Sequence, residues 1–232
     1  MNLLYQTENI NLELYIIEIY LGSDRQYFRL LLSTFDDLIT VSSINCKLCN
    51  ISNKYDSFLS KTAKKLNSPN KNNKNDKIEY EYYKDSCSIP FESMQNDIII
   101  KNYMNISSLN FKVVEKDSSG FLNSDLVDGI LGLNYNNDKG IHSKSFISQL
   151  YDEGYLSSLS FSIIITSSNV NRLYLGDIMK NDYIKDYYNS LANKGECNII
   201  DNNWKCQIKS LEYNAMKVIN GKKGKNLMII LQ

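Results

Sequence analysis

Short runs of alternating apolar and polar residues recur along the chain, and they predict strands. Residues 12–21 alternate and are rich in Ile, Tyr and Leu; Gly22, Ser23 and Asp24 break the run, and residues 26–33 resume it, the pattern of a β-hairpin around a tight turn. A shorter run at 38–41 follows the polar interruption 33–37, and further strands are predicted at 78–83, 97–101, 110–115, 160–166, 172–176, 204–213 and 226–231. Residues 126–133 differ, because Gly129 and Gly132 sit three apart inside an apolar run and indicate close backbone approach rather than an ordinary strand. One helix is predicted near 144–153: Phe146, Gln149, Leu150 and Tyr151 share helical spacing, Ser145 can cap the N-terminus, and Gly154 suits the position after the C-terminus. Short strands with turn signals and little helix give an all-β, barrel-like architecture. Residues 62–77 are dominated by Lys and Asn, with Pro69 and almost no apolar residue, and read as a solvated insertion. That stretch lacks the Arg and the interleaved aromatics of a nucleic-acid patch.

Composition narrows the function classes. The 232 residues carry 26 Lys plus Arg and 26 Asp plus Glu, a formal net charge of zero, so the electrostatic footprint of a general nucleic-acid binder is missing. No apolar run reaches the ~18 residues of a membrane span. Residues 1–9 show neither a basic nor an apolar leader region, so no signal peptide is visible. The single histidine, His142, removes most Ser-His and Cys-His catalysis and makes a His-rich metal site impossible. No metal and no cofactor are expected. Five cysteines, Cys46, Cys49, Cys87, Cys197 and Cys206, leave at least one free or paired outside the chain. The Cys46-x-x-Cys49 spacing leaves half a zinc site, disulfide halves and plain buried thiols open, although zinc lacks a second pair at similar spacing.

Taken in order, the segments resemble the pepsin-like aspartic proteases (peptidase family A1). Residues 14–22 resemble that family's opening strand, Y-[YF]-G-x-I-x-[IL]-G, and residues 26–32 its following Q-x-[FL]-x-V-x-F. Val41, Ser43 and Cys46 fall where the family has V-P-S and then a cysteine, and residues 58–62 resemble F-x-P-x-x-S-x-T without its proline. Asp128, Gly129, Ile130, Leu131, Gly132 and Leu133 match the family's D-G-I-[LM]-G-L letter for letter, the most specific piece. The predicted helix and Phe161, Ser162 and Ile163 follow at the family distance; residues 173–177 resemble L-x-[IF]-G-G, and residues 204–208 resemble [YW]-W-x-[IV].

The resemblance implies a pepsin-like fold, with an N-terminal lobe over 11–166 that includes the Lys/Asn-rich insertion, and the start of a truncated C-terminal lobe over 167–232. It also implies a chemistry that uses no histidine. Two Asp carboxylates, one per lobe, each carried in D-[TS]-G, share one proton because like charges about 3 Å apart cannot both ionise. The ionised carboxylate takes a proton from water while the protonated one polarises the scissile carbonyl. Here the first motif reads Ser33, Thr34, Phe35, with Ser33 at the Asp position and Phe35 at the Gly position. Thr34 is retained and suits the hydrogen bonding between lobes that this position makes in the family. A Ser hydroxyl does not ionise near neutral pH and has no His close in sequence to activate it. Asp36 and Asp37 read as solvated turn residues, three and four places too far along to substitute.

The family's flap motif, Y-G-x-G-S, corresponds to residues 83–86, with Tyr83 as the flap candidate and Tyr82 as the competing register; Lys84 and Ser86 replace the glycines. The strand expected at 226–231 precedes the place of the second motif, and no D-[ST]-G triplet occurs among the 232 residues. These readings predict an aspartic-endopeptidase relative that is catalytically inactive as this chain. The alternatives are a pseudoprotease that holds a peptide or protein segment in its cleft without turnover, and a truncated gene reading of an active protease. The resemblance implies the secretory or vacuolar pathway, and the remainder of a second lobe as a partner. The run 226–231 is also an expected aggregation segment.

Overall fold

The computed structural model describes residues 2–8, 12–67, 77–95, 98–120, 125–134, 144–164, 171–177, 210–213 and 216–220. In chain order the elements are β1 (Asn2–Glu8), β2 (Leu12–Leu21), β3 (Gln26–Ser33), β4 (Ile39–Ser42), β5 (Lys64–Leu66), β6 (Ile78–Gln95), β7 (Ile98–Asp117), β8 (Gly129–Gly132), α1 (Phe146–Asp152), β9 (Phe161–Ile164), β10 (Asn171–Leu175), β11 (Ser210–Tyr213) and β12 (Met216–Asn220). The fold is all-β with a single short helix among the described residues, as the alternation predicts. Ten strands form one sheet in the order β5-β6-β7-β4-β8-β3-β2-β1-β10-β9, and β6 also pairs with β2; β11 and β12 form a separate hairpin.

The β2–β3 hairpin turns where the glycine stands. Gly22 has φ +82°, a left-handed conformation that favours glycine, and an added Cβ would lie 2.9 Å from the Ser60 Cβ. Its register, Ile16 with Leu31 through Leu21 with Gln26, puts Ile17, Ile19, Leu21, Phe28 and Leu30 in one core. Val41, Phe111, Val113, Leu131, Phe146 and Leu150 complete that core. On α1 the Ser145 hydroxyl accepts from the Ser148 amide at 3.2 Å, and Gly154 follows at φ +77°, so both predicted ends of the helix are found.

Four elements differ from the sequence pattern. β1 has no predicted counterpart; it is held by β2 on one side and β10 on the other, so pairing rather than an alternating pattern makes it a strand. β6 and β7 are far longer than the pieces predicted, pairing from Ile78 with Asp117 to Gln95 with Ile98, with register shifts at Glu79/Tyr80 and Asp85/Cys87 that interrupt the apparent alternation. β5 lies inside the stretch read as a solvated insertion and pairs with β6. β9 and β10 fall on either side of the expected lobe boundary yet pair directly with each other. Residues 68–76, His142, Cys197, Trp204, Cys206 and the run 226–231 lie outside the described residues.

β8 explains the most specific motif. It lies between β3, to which it is parallel, and β4, to which it is antiparallel. A Cβ on Gly129 would sit 2.2 Å from the Thr40 carbonyl oxygen, and one on Gly132 would sit 2.4 Å from the Asp36 carbonyl carbon, so only glycine admits this packing. Fully buried Asp128 accepts from the Arg29 amide at 2.9 Å, the Asn53 amide at 3.0 Å and the Asn53 Nδ2 at 2.9 Å, which ties β8 to β3 and to the 46–55 loop. Cys46 and Cys49 are joined by a disulfide in that loop, one of the readings the sequence left open for the pair. Cys87 is a free, buried thiol whose pKa is pushed up by burial and then by Asp85.

Buried Asp85 gathers donors from three segments: Tyr55 OH at 2.7 Å, Ser60 Oγ at 3.0 Å, Thr62 Oγ1 at 2.5 Å and the Ser86 amide at 2.8 Å. Ser60 and Thr62 are the S-x-T of the motif seen at 58–62. Burial, reinforced by Asp85, raises the Tyr55 pKa well above the ordinary tyrosine value. The neutral phenol is therefore the native form. Its contribution to stability is fully present below the unfolded value near ~10 and is lost as pH rises through the folded value.

Two outcomes are expected. Gly129→Ala lowers the unfolding free energy by about 2–3 kcal/mol in denaturant titration, because the Thr40 carbonyl must move. Stability falls as pH rises above ~10, and Tyr55→Phe flattens that alkaline loss in thermal melts while costing about 1–2 kcal/mol near neutral pH.

Candidate active site

The site is built at the end of β3. Ser33 is the last residue of that strand and lies opposite Gly132 of β8 in the parallel register. The chain then curls tightly: the Phe35 amide donates to Ser33 Oγ at 3.2 Å and the Asp36 amide at 3.3 Å, a side-chain-capped turn of the kind Ser favours. The Ser33 hydroxyl in turn donates to Asp36 Oδ2 at 2.7 Å. The Leu133 amide donates to the Ser33 carbonyl at 2.7 Å, the Asn134 amide to that of Asp36 at 2.8 Å, and the Phe146 amide to that of Asp37 at 2.7 Å. Asn134 Nδ2 donates to the Phe35 carbonyl at 3.1 Å. The turn is thus held from beneath by the end of β8 and by the start of α1.

This geometry replaces the reading of Asp36 and Asp37 as solvated residues out of reach. Chain length sets only an upper limit on separation, and the curl returns the Asp36 carboxylate to the Ser33 hydroxyl. Asp37 is ion-paired with Lys112 of β7 at 3.0 Å, both side chains being less than a quarter exposed. Neither carboxylate is solvated in the way expected. The sequence carried one signal for this: Gly132, which faces the Asp36 backbone too closely for any side chain.

Chemically, the Ser33–Asp36 contact orients a hydroxyl without activating it. A carboxylate is far too weak a base to take an alcohol proton, and an imidazole to relay it is missing from the contacts of Ser33. Thr34 is half-buried. Phe35 is 51% exposed, a bulky ring at a place where the motif calls for glycine.

The flap candidate, Tyr83, lies within β6. β6 runs through 83–86: Tyr83, Lys84 and Asp85 pair with Phe111, Asn110 and Leu109 of β7, and Ser86 stands in the bulge between Asp85 and Cys87. Tyr83 is a strand aromatic, its ring 5.6 Å from Tyr55 and 6.4 Å from Phe111. Tyr82, the competing register, lies opposite Lys112 and so shares the face whose ammonium reaches Asp37. Neighbouring Tyr80 has its pKa raised by burial and then by Asp36, which places it on the same side.

Gly132→Ala is expected to push back the 36–37 backbone and speed hydrogen exchange at the Asn134 amide by at least ~10-fold. Ser33→Ala, which removes only one hydroxyl, costs about 1–2 kcal/mol and leaves the exchange of Gly132 slow.

No helix among the described residues is long and apolar enough to cross a membrane. No curated protein matches the chain. A family model described as eukaryotic aspartyl protease matches residues 14–229, which spans β2 through β12 and contains both the Ser33 turn and the Asp128–Leu133 motif. The chain therefore belongs to the eukaryotic aspartyl protease family, the pepsin-like A1 peptidases.

Proposed function

We propose that this chain is a member of the aspartyl protease family that does not hydrolyse peptides. The observation that carries the reading is Ser33 at the position of the first catalytic carboxylate, its hydroxyl spent on Asp36 at 2.7 Å. The family's reaction needs one carboxylate to deprotonate water and a second, protonated one to polarise the carbonyl. Ser33 can do neither, since its hydroxyl stays neutral through the working range of such a pair. Asp36 brings a carboxylate near, but it is engaged by Ser33 and belongs to a different turn geometry. Asp37 is neutralised by Lys112. Exposed Phe35 adds bulk beside the place where a water would be activated.

The same ring favours a second role, in which an extended peptide is held against the apolar surface of Phe35 and released intact. Both readings are tested by incubating the purified chain with a broad peptide library between about pH 3 and 7, with and without a transition-state-analogue inhibitor, and following products by mass spectrometry. The expected result is an intact library under every condition. Fragments that appear in the absence of the inhibitor and vanish in its presence would overturn the proposal.

A further inference from the structure

A cavity of about 330 Å3 opens on the opposite face of β6 from the Ser33 turn. Glu81 and Tyr83 point to it, whereas Tyr80 and Tyr82 alternate to the face of Lys112 and Asp37. Tyr55, Tyr83 and Val113 form the apolar part of its walls, with Ile44 and Phe58 at the rim, and the rest of the lining is polar. Three charged side chains face it, Lys65 of β5, Glu81 of β6 and Glu115 of β7. Lys65 and Glu81 are ion-paired with each other. Glu115 has the Ser43 hydroxyl as a hydrogen-bond partner and a weaker attraction to Lys65, so the two carboxylates of the cavity share one ammonium and leave it with an excess of negative charge. Burial raises the Glu115 pKa by more than Ser43 and Lys65 lower it.

The rim is equally unbalanced. Phe58 is 91% exposed, and Ile44 and nearby Leu59 are each more than half exposed. The rim is also pre-organised. The Ile44 amide donates to the Tyr55 carbonyl at 2.9 Å, the Tyr55 amide to the Ser42 carbonyl at 2.7 Å, and the Cys46–Cys49 disulfide closes the loop just beyond.

We propose that this cavity binds a lysine or arginine side chain of a peptide segment whose neighbouring residues are apolar. The aliphatic stem would lie between Tyr55, Tyr83 and Val113, the cationic head would meet Glu115 and the tyrosine faces, and the flanking apolar residues would cover Phe58 and Ile44. The volume is at the small end for ligand sites, which suits one side chain rather than a whole cofactor. A free amine satisfies the charge but leaves the apolar rim in water, so the rim selects a peptide. The site is independent of the Ser33 turn and of whether that turn supports hydrolysis.

The test is calorimetric titration of the full chain with the blocked peptide acetyl-Gly-Leu-Lys-Leu-Gly-amide, its norleucine counterpart and n-butylamine. The lysine peptide is expected to bind at least ~10-fold more tightly than the other two, with Glu115→Gln removing that advantage. In the unmodified chain, the peptide should shift the NMR signals of Val113 and Tyr83 and leave those of Ser33 and Asp36 unmoved, a readout that does not rely on the variant folding. Equal affinity for the lysine and norleucine peptides, amine binding as tight as peptide binding, no binding at millimolar peptide, or shifts confined to the Ser33 turn would each overturn the proposal.

Discussion

The fold around the site depends on one close approach. Gly132 lies against the backbone of Asp36 and Asp37 with no room for a methyl group, and three residues earlier Gly129 lies in the same way against Thr40. Because β8 carries no side chain at those two points, it can slot between β3 and β4 and reach the turn that follows β3. Asp128 fixes the near end of that slot to Arg29 and Asn53, and the Leu133 and Asn134 amides fix the far end to Ser33 and Asp36. The motif that marks the family is thus a packing device. It sets where residue 33 stands, whatever that residue is.

This separation of scaffold from chemistry means that the turn is held in place by backbone contacts and not by the side chain at residue 33. The turn carries a hydroxyl at residue 33, an aromatic ring at 35, and a carboxylate at 36 drawn back onto the hydroxyl. The local hydrogen bonds are well satisfied by this arrangement. The Ser33 hydroxyl donates once and accepts from two amides. On the other face of β6 a half-buried carboxylate, Glu115, faces a cavity beside Glu81, and the two share the Lys65 ammonium.

The β2–β3 hairpin, the close approach at 129 and 132 and both ends of α1 were legible in the sequence, because each rests on local signals: a glycine at a left-handed turn, two glycines in an apolar run, a Ser before a helix and a Gly after it. β1 was not, because its pairing with β2 and β10 involves residues far away along the chain. The length of the β6–β7 hairpin was hidden by bulges that shift the alternation by one. At the site, the identity of residue 33 was readable by register counting. The return of Asp36 to Ser33 was not, since sequence spacing bounds a distance from above and says nothing of how tightly a turn curls. The Asp85 cluster escaped for a related reason: its donors come from Tyr55, Ser60 and Thr62, which only the folded sheet brings together.

The most direct measurement of the central claim is the pH dependence of binding of a hydroxyl-bearing transition-state-analogue inhibitor to the purified chain. A carboxylate pair that shares a proton binds such a compound tightly in acid and loses it as the second carboxyl ionises. With Ser33 in place of the first carboxylate, binding is expected to be weak and flat from about pH 3 to 7. Tight binding that falls away with rising pH would show a working dyad and contradict the account.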